Sequence, residues 1–345
     1  MSAPELAGVD PSTLRDWMSD RGIAVSGALR LRRLGDGRSN LTFAVVDDAG
    51  RQWVIRRPPL GKLLASAHDV GREGRVLTAL ASTEVPVPTV LGLCDDAGVA
   101  SAPVLVMSMI EGSPAHELAD HSQLGPAIGE ELGRSIVGAL AGIHRVDVAT
   151  IGLADLSSHA PYAPRQLRRW SRQWEESKLR DMPALDRLSR WLEEHIPSQS
   201  ETTLLHGDYH LGNLLVDRQT GHLRAVLDWE LSTLGDPLAD VGTMLGYWPE
   251  PDADGAGVTT PHSASATGLP DRRKMAELYA ESSGRDLADV TFWYVLGLWK
   301  IAIIIEGVRR RAREAPSPDR GAALPSADFV DKTIDRAWAA TLTGI

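Results

Sequence analysis

The residues that could carry chemistry lie in one stretch, Leu205-His206-Gly207-Asp208-Tyr209-His210-Leu211-Gly212-Asn213-Leu214-Leu215-Val216-Asp217, followed by Ala225-Val226-Leu227-Asp228-Trp229-Glu230. Asp208 stands five residues before Asn213, and a second carboxylate, Asp228, closes a later apolar run. Phosphoryl transfer to a hydroxyl asks for this spacing. Asp208 is placed to accept the proton of an attacking hydroxyl and to align its oxygen with a γ-phosphate. Asn213 and Asp228 offer hard oxygen ligands to Mg²⁺, which bridges phosphates and spreads their charge. Singly, each residue has a plainer reading, since Asp and Asn near strand ends usually cap or turn. The joint pattern, with two apolar β-prone runs flanking Asn213 and the second ending in Asp228, is far more specific than its members. A rival shares the same letters: His206-x-Asp208-x-His210 alternates like zinc or iron ligands on a strand. A metallohydrolase would need further ligands in motif form, and the chain instead offers Asn213 and Asp228. His206 is therefore expected to orient the loop and His210 to lie on the acceptor side.

The elements that must position these residues differ along the chain. Ala28 to Gly37, Leu41 to Val46 and Arg51 to Arg57 are short β-prone runs, parted by Gly35-Asp36-Gly37 and Asp47-Asp48-Ala49-Gly50. Pro58-Pro59 stops the third run. Val70, Val76, Leu77 and Leu80 recur at helical spacing between Ala67 and Ala81, and two more strands follow, Thr89 to Cys94 and Pro103 to Ile110. After Gly112 the texture turns helical, over Leu124–Val146, Pro164–Met182, Ala184–His195, Arg272–Ser283, Val290–Arg313 and Ala327–Leu342. Short strands interrupt at Thr203–Leu205, Leu214–Asp217 and Leu223–Leu227. The expected fold class is α+β and bilobal, like a protein kinase. Residues 1–110 would form a small antiparallel-sheet lobe with one helix, and residues 111–345 a larger, mainly helical lobe. Pro249 to Gly268, rich in Pro, Gly, Ala, Ser and Thr, reads as a long surface loop.

Composition narrows the partners. A chain of 345 residues exceeds what one core usually supports, and its 43% hydrophobic content is that of a globular protein. A net charge of −10 argues against nucleic-acid binding. One cysteine, Cys94, rules out an internal disulfide and reads as a buried thiol. The start of the chain lacks a secretory pattern, and the most apolar window, Phe292 to Ile305, is shorter than a membrane span and carries Lys300. No membrane contact and a cytoplasmic location are expected.

His206-Gly207-Asp208-Tyr209-His210-Leu211-Gly212-Asn213, then Asp228-Trp229-Glu230, then Gly235-Asp236-Pro237-Leu238-Ala239-Asp240-Val241-Gly242, resembles the aminoglycoside phosphotransferase family of kinases. The nearest likeness is to the branch resembling the kinase-like domain attached to some acyl-CoA dehydrogenases, from about Leu29 to Arg313. The resemblance implies ATP and Mg²⁺ as cofactors. It also implies that the turn Gly37-Arg38-Ser39-Asn40-Leu41-Thr42 covers phosphates, with Ser39 and Asn40 in the nucleotide site. Arg56 would stand where kinases usually carry a phosphate-binding lysine, a departure that is not neutral, with Glu73 as its ion-pair partner. The Ser108 carbonyl and Ile110 amide would meet adenine, and Asp240 would brace the catalytic loop.

For the acceptor, the candidates are Tyr209, His210, Trp229 and Glu230, with Trp299 and the loop after Trp248 as walls. A small hydroxylated molecule is expected, with an aminoglycoside or a hydroxyacyl-CoA thioester as the alternatives. Arg165, Arg168, Arg169 and Arg172 mark a basic helix face that reads either as solvated or as a contact for CoA phosphates. Two other classes stay in view: a nucleotide-binding module without turnover, favoured by Arg56, and the His-liganded metalloenzyme.

Overall fold

A computed structural model describes residues 8–35, 40–59, 69–119, 125–157, 160–199, 201–249, 268–314 and 326–345. The chain divides into two units: residues 1–111 together with 225–230, and residues 112–224 together with 231–345. The expected border at residue 110 thus moves by one residue, and a six-residue segment holding Asp228 and Glu230 returns to the first unit.

The first unit opens with α1 (Pro11–Asp20), which the hydrophobic pattern did not single out. Its start is nonetheless written locally: Asp10 accepts the Ser12 and Thr13 amides, and Pro11 takes the first helical position. The strands β1 (Arg30–Leu34), β2 (Leu41–Val46) and β3 (Gln52–Arg57) precede α2 (Val70–Leu80), and β4 (Val90–Cys94) and β5 (Val104–Ser108) follow it. They form one antiparallel sheet in the order β1-β2-β3-β5-β4. Strand alternation sends Phe43, Val45, Trp53, Ile55, Val104 and Val106 into a core with Leu14, Trp17 and Met18 of α1. Gly92 is needed there, because a Cβ would lie 2.8 Å from the Trp17 ring. The opposite face packs on α2, and the same alternation turns Arg56 to that side beside buried Glu73. Cys94 is buried and free.

The second unit begins with β6 (Ser113–Pro114), α3 (Ala115–Ala119), α4 (Pro126–Arg145), α5 (Tyr162–Ser177) and α6 (Pro183–Glu194). The expected run to Met182 breaks after Ser177, and α6 restarts at Pro183, whose ring disfavours helix in the residue before it. β7 (Thr203–Leu205), β8 (Leu214–Val216), β9 (Leu223–Val226) and β10 (Thr233–Gly235) carry the motif region, and β9 takes the chain out of this unit at Arg224. The unit is completed by α7 (Leu238–Tyr247), α8 (Arg272–Ser283), α9 (Val290–Glu314) and α10 (Ala327–Thr343). α7 escaped the sequence pattern because every residue from Leu238 to Gly246 is buried, so no apolar stripe marks it. α7 and α9 approach closely at Gly242 and Gly297: a Cβ on Gly242 would lie 2.2 Å from the Trp293 carbonyl oxygen. By length and composition α9 could cross a membrane, yet 83% of its apolar window is buried. Its neighbours there are α5, α6, α7 and α10.

Candidate active site

In the first unit the reactive side chains converge on Arg56. Its Nε lies 2.9 Å from a Glu73 carboxylate oxygen, as the expected pair requires. Its other end contacts Asp228 and approaches Glu230 at 3.6 Å. Asn40 donates from Nδ2 to Glu230 at 2.8 Å, and Arg72 donates to the Glu230 carbonyl at 3.3 Å. Glu230, expected at the acceptor, is therefore part of the Arg56 cluster, because the turn after β9 delivers it to this unit. Burial pushes the Glu73 carboxyl up to about 7, against the pull of Arg56, with Asp228 and Glu230 adding to the rise. Asp228 has φ 65, a left-handed backbone that costs a non-glycine residue about 1–3 kcal/mol and clusters at functional sites. Two anchors hold that turn: the Val226 amide donates to the Pro86 carbonyl at 2.8 Å, and the buried Trp229 indole N–H donates to the Val226 carbonyl at 3.0 Å. Trp229, expected among the acceptor candidates, is thus an anchor of this turn. Asn40 is buried, and among the described residues its Oδ1 has no hydrogen-bond partner; Ser39 lies outside the described residues. β5 ends at Ser108, and Ile110 follows it in half-buried, irregular backbone.

In the second unit the loop that bears Asp208 leaves β7 and is clamped by Asp240 of α7. Its carboxylate accepts the His206 amide at 2.7 Å and the Gly207 amide at 2.9 Å. Gly207 has φ +86, and a Cβ there would lie 2.4 Å from the Leu231 carbonyl oxygen, so the loop needs glycine. Buried His144 backs the clamp, with Nε2 3.4 Å from Asp240 and Nδ1 2.7 Å from the Tyr279 hydroxyl. Burial holds His144 below the usual imidazole range, so its Nε2 carries the proton toward Asp240, which can only accept. Sequence reasoning missed His144, a single histidine on an amphipathic helix with no motif around it.

Asp208 has about a third of its side chain open, 32%, so a substrate can reach it. Asn213 donates from Nδ2 to the Asp208 carbonyl at 2.9 Å and to its carboxylate at 3.2 Å, which turns the Asn213 Oδ1 away as a free ligand atom. His210 accepts the Gly212 amide on Nδ1 at 3.0 Å, so its Nε2 carries the proton, 3.4 Å from Asp208, and its ring lies 4.7 Å from that of Tyr247. Burial alone would raise the Asp208 carboxyl, but His210, then His206 and Lys300, outweigh it and hold it at about 2. Tyr209, expected at the acceptor, faces the core: it is fully buried and donates to the Ile136 carbonyl at 2.8 Å. Trp299 is also core, its indole donating to Ser189 at 2.9 Å. In the His206-x-Asp208-x-His210 alternation both Nδ1 atoms serve the loop itself, His206 Nδ1 accepting the Asp208 amide at 3.3 Å and His210 Nδ1 the Gly212 amide at 3.0 Å. Among the described residues no group of three or more His, Cys, Asp or Glu is arranged for a metal ion.

Each unit's donor set, taken by itself, is too small for a self-contained metal site and suits an ion that phosphate oxygens also hold. In the first unit three carboxylates share one guanidinium, and in the second Asn213 offers one amide oxygen. Mg²⁺ is usually held by one or two such groups and by phosphate oxygens.

Comparison with known proteins follows the same line. A profile of the phosphotransferase enzyme family matches residues 30–278. Acyl-CoA dehydrogenase family member 10 of Mus musculus is 33% identical over 91% of this chain, and member 11 of Rattus norvegicus is 32% identical over 82%. The chain spans about a third of their lengths, 29% and 36%. Among solved structures, a candidate aminoglycoside phosphotransferase from Ralstonia eutropha JMP134 has a TM-score of 0.76 at 30% identity, covering 97% of both chains. Spectinomycin phosphotransferase, solved with ADP and spectinomycin, has a TM-score of 0.64 at 11% identity over 96% of this chain and 99% of its own. At that identity the likeness speaks for the fold, which is the protein-kinase-like α+β fold with an antiparallel sheet in the N-terminal region and a helical C-terminal region. The catalytic-loop spacing, the family-wide match and the near-complete overlap with the Ralstonia structure agree, and the chain belongs to the phosphotransferase enzyme family.

Proposed function

We propose that this protein is an ATP- and Mg²⁺-dependent kinase that transfers the γ-phosphate to a hydroxyl of a small molecule. The observation that supports it best is the Asp208–Asn213 pair: an ionised, reachable carboxylate fixed by an amide on a loop whose backbone is clamped by Asp240. When bound, the magnesium-nucleotide supplies an activated phosphoryl group whose charge the metal neutralises. Arg56, steadied by Glu73, would hold the phosphates, and the Asp228 carboxylate and Asn213 Oδ1 would hold the magnesium ion. Asp208 accepts a hydrogen bond from the acceptor hydroxyl and aligns its oxygen. As the new O–P bond forms and the bond to the β-phosphate oxygen breaks, the hydroxyl proton passes to Asp208 and ADP leaves. A carboxylate held at about 2 is a weak base, so orientation comes first and the proton moves late.

The test is ADP release across aminoglycosides, hydroxyacyl-CoA thioesters and simple alcohols, with wild type and Asp208→Asn side by side. Turnover with one class is expected, falling at least about a thousandfold in the variant while ATP binding persists. Full activity in Asp208→Asn overturns the mechanism. The second reading, a nucleotide-binding module, draws on Arg56, which is already engaged by three carboxylates. Nucleotide binding with no transfer to any acceptor supports it. The Ralstonia description makes an aminoglycoside one acceptor to try, and the names of the longer relatives make an acyl-CoA derivative another.

A further inference from the structure

The His210 imidazole is gripped by two elements of the second unit. One is the short helical turn Leu211–Asn213, which His210 itself caps. His210 Nδ1 accepts the Gly212 amide at 3.0 Å, and the ring lies so close to Gly212 that a Cβ there would stand 2.7 Å from Cε1. The other is α7, whose last residue, Tyr247, packs its ring on the imidazole, with centroids 4.7 Å apart and planes tilted by 39°. Tyr247 is half-buried, and among the described residues its hydroxyl makes no hydrogen bond. What Tyr247 brings to His210 is therefore its ring.

This grip decides which oxygen of Asp208 stays open. A ring whose Nδ1 accepts an amide carries its proton on Nε2. Nε2 lies 3.4 Å from Asp208 Oδ2 and 3.4 Å from Asn213 Nδ2. Asn213 Nδ2 spends its two hydrogens on the Asp208 carbonyl at 2.9 Å and on Oδ2 at 3.2 Å. Oδ2 is thus the acceptor that Nε2–H faces, and two N–H groups converge on it. Among the described residues no donor bonds Oδ1. A free carboxylate turns about its last side-chain bond and presents either oxygen. Two donors on one oxygen remove that freedom, and fixed orientation of a reacting group is where much of catalysis lies.

We propose that Tyr247 is a positioning residue of this kinase, acting through His210: Tyr247 and Gly212 fix the imidazole, His210 and Asn213 hold Oδ2, and Oδ1 is the oxygen that serves the acceptor. Oδ1 takes the hydrogen bond of the acceptor hydroxyl, and receives its proton as the hydroxyl oxygen bonds to phosphorus and the bond to ADP breaks. This rests on the phosphotransferase reading above and adds to it a residue of α7 and an assignment of the reacting oxygen.

The test uses wild type, Tyr247→Phe, Tyr247→Ala and His210→Asn. Long-range proton–nitrogen spectra of the imidazoles, at a pH where histidine is neutral, read the tautomer, and the signals lost in His210→Asn identify the ring. Wild type and Tyr247→Phe are expected to show one fixed Nε2–H tautomer, and Tyr247→Ala the averaged signals of a ring free to turn. With the acceptor that the panel above yields, kcat should fall about tenfold or more in Tyr247→Ala and recover in Tyr247→Phe, with the magnesium-nucleotide Kd unmoved. A wild-type ring already averaged overturns the proposal, as does a single tautomer kept in Tyr247→Ala. So does an averaged ring with unchanged kcat, or a loss in Tyr247→Phe equal to that in Tyr247→Ala, which would give the role to the hydroxyl. If no acceptor is phosphorylated, phosphotransfer fails, and the spectra alone judge the grip on His210: averaging in Tyr247→Ala upholds it and an unchanged tautomer refutes it. Thermal melting of each variant excludes misfolding, and Tyr247→Leu, which keeps bulk without a ring face, replaces Tyr247→Ala if the latter melts early.

Discussion

Arg56 is surrounded by more negative charge than it can neutralise. Glu73, Asp228 and Glu230 share one guanidinium, and Asn40 ties Glu230 to the end of the turn that precedes β2. This explains how an arginine can stand where kinases usually carry lysine: its planar fork can hold several carboxylates at once, as an ammonium cannot. Glu230→Gln should therefore act on the nucleotide side. The magnesium-nucleotide Kd is expected to rise about tenfold, the change tied to one charge-assisted hydrogen bond, with the acceptor KM unmoved. A fluorescence titration against steady-state kinetics reads both, and a change confined to the acceptor KM would return Glu230 to the acceptor side. Asp208, Asn213, Asp228 and Arg56 were legible from spacing and resemblance because their chemistry fixes their separation along the chain. Tyr209 and Glu230 were misplaced because adjacency in a motif does not say which way a side chain points. Tyr209 alternates away from Asp208 into the core, and Glu230 follows a left-handed residue that turns the chain.

At the scale of elements, α7 and α9 set the frame of the catalytic loop. α7 carries Asp240, and its contact with α9 depends on two glycines facing each other. Gly242→Ala would press a methyl group onto the Trp293 backbone and should lower stability by about 3 kcal/mol or more, measured by denaturant melting. Gly138 of α4 is the control: a Cβ there meets nothing within 4 Å, so Gly138→Ala should stabilise by up to about 1 kcal/mol. Equal effects at the two sites would refute the close-packing argument. The start of α7 also carries a pH signature. Asp236 accepts the Leu238 amide at 3.0 Å, and burial, eased by that bond, raises its carboxyl to about 6. A folded-state value above the unfolded one favours the protonated native form, so this stability is present below about pH 4 and is lost as pH rises through 6. Asp236→Asn keeps the capping acceptor and removes the titration. Relative to wild type it should gain melting temperature between pH 5 and pH 7, and a constant difference across that range would sink the assignment. The long amphipathic helices were legible because one face is wet; α7 was not, because burial on all sides leaves no periodicity to read.

Over the whole molecule, the division into units does not follow the chain. Residues 225–230 belong with residues 1–111, although 172 positions separate Arg56 from Asp228. The sequence suggested a border at residue 110 because the texture changes there from strands to helices, and a six-residue return is too short to alter composition. A fragment ending at Glu111 leaves Arg56 with Glu73 as its remaining carboxylate. Its amides should exchange with deuterium faster around β3 and α2 than in the full chain, and equal protection would show that the returning segment adds nothing to that unit.

The same discontinuity has a consequence for birth on the ribosome. Synthesis runs from the N-terminus at roughly 5–20 residues per second, so Asp228 is polymerised on the order of ten to thirty seconds after Arg56. Throughout that interval the nascent sheet holds a cation with Glu73 at hand but with Asp228 and Glu230 not yet made, and the unit that begins first is finished only after the second has begun.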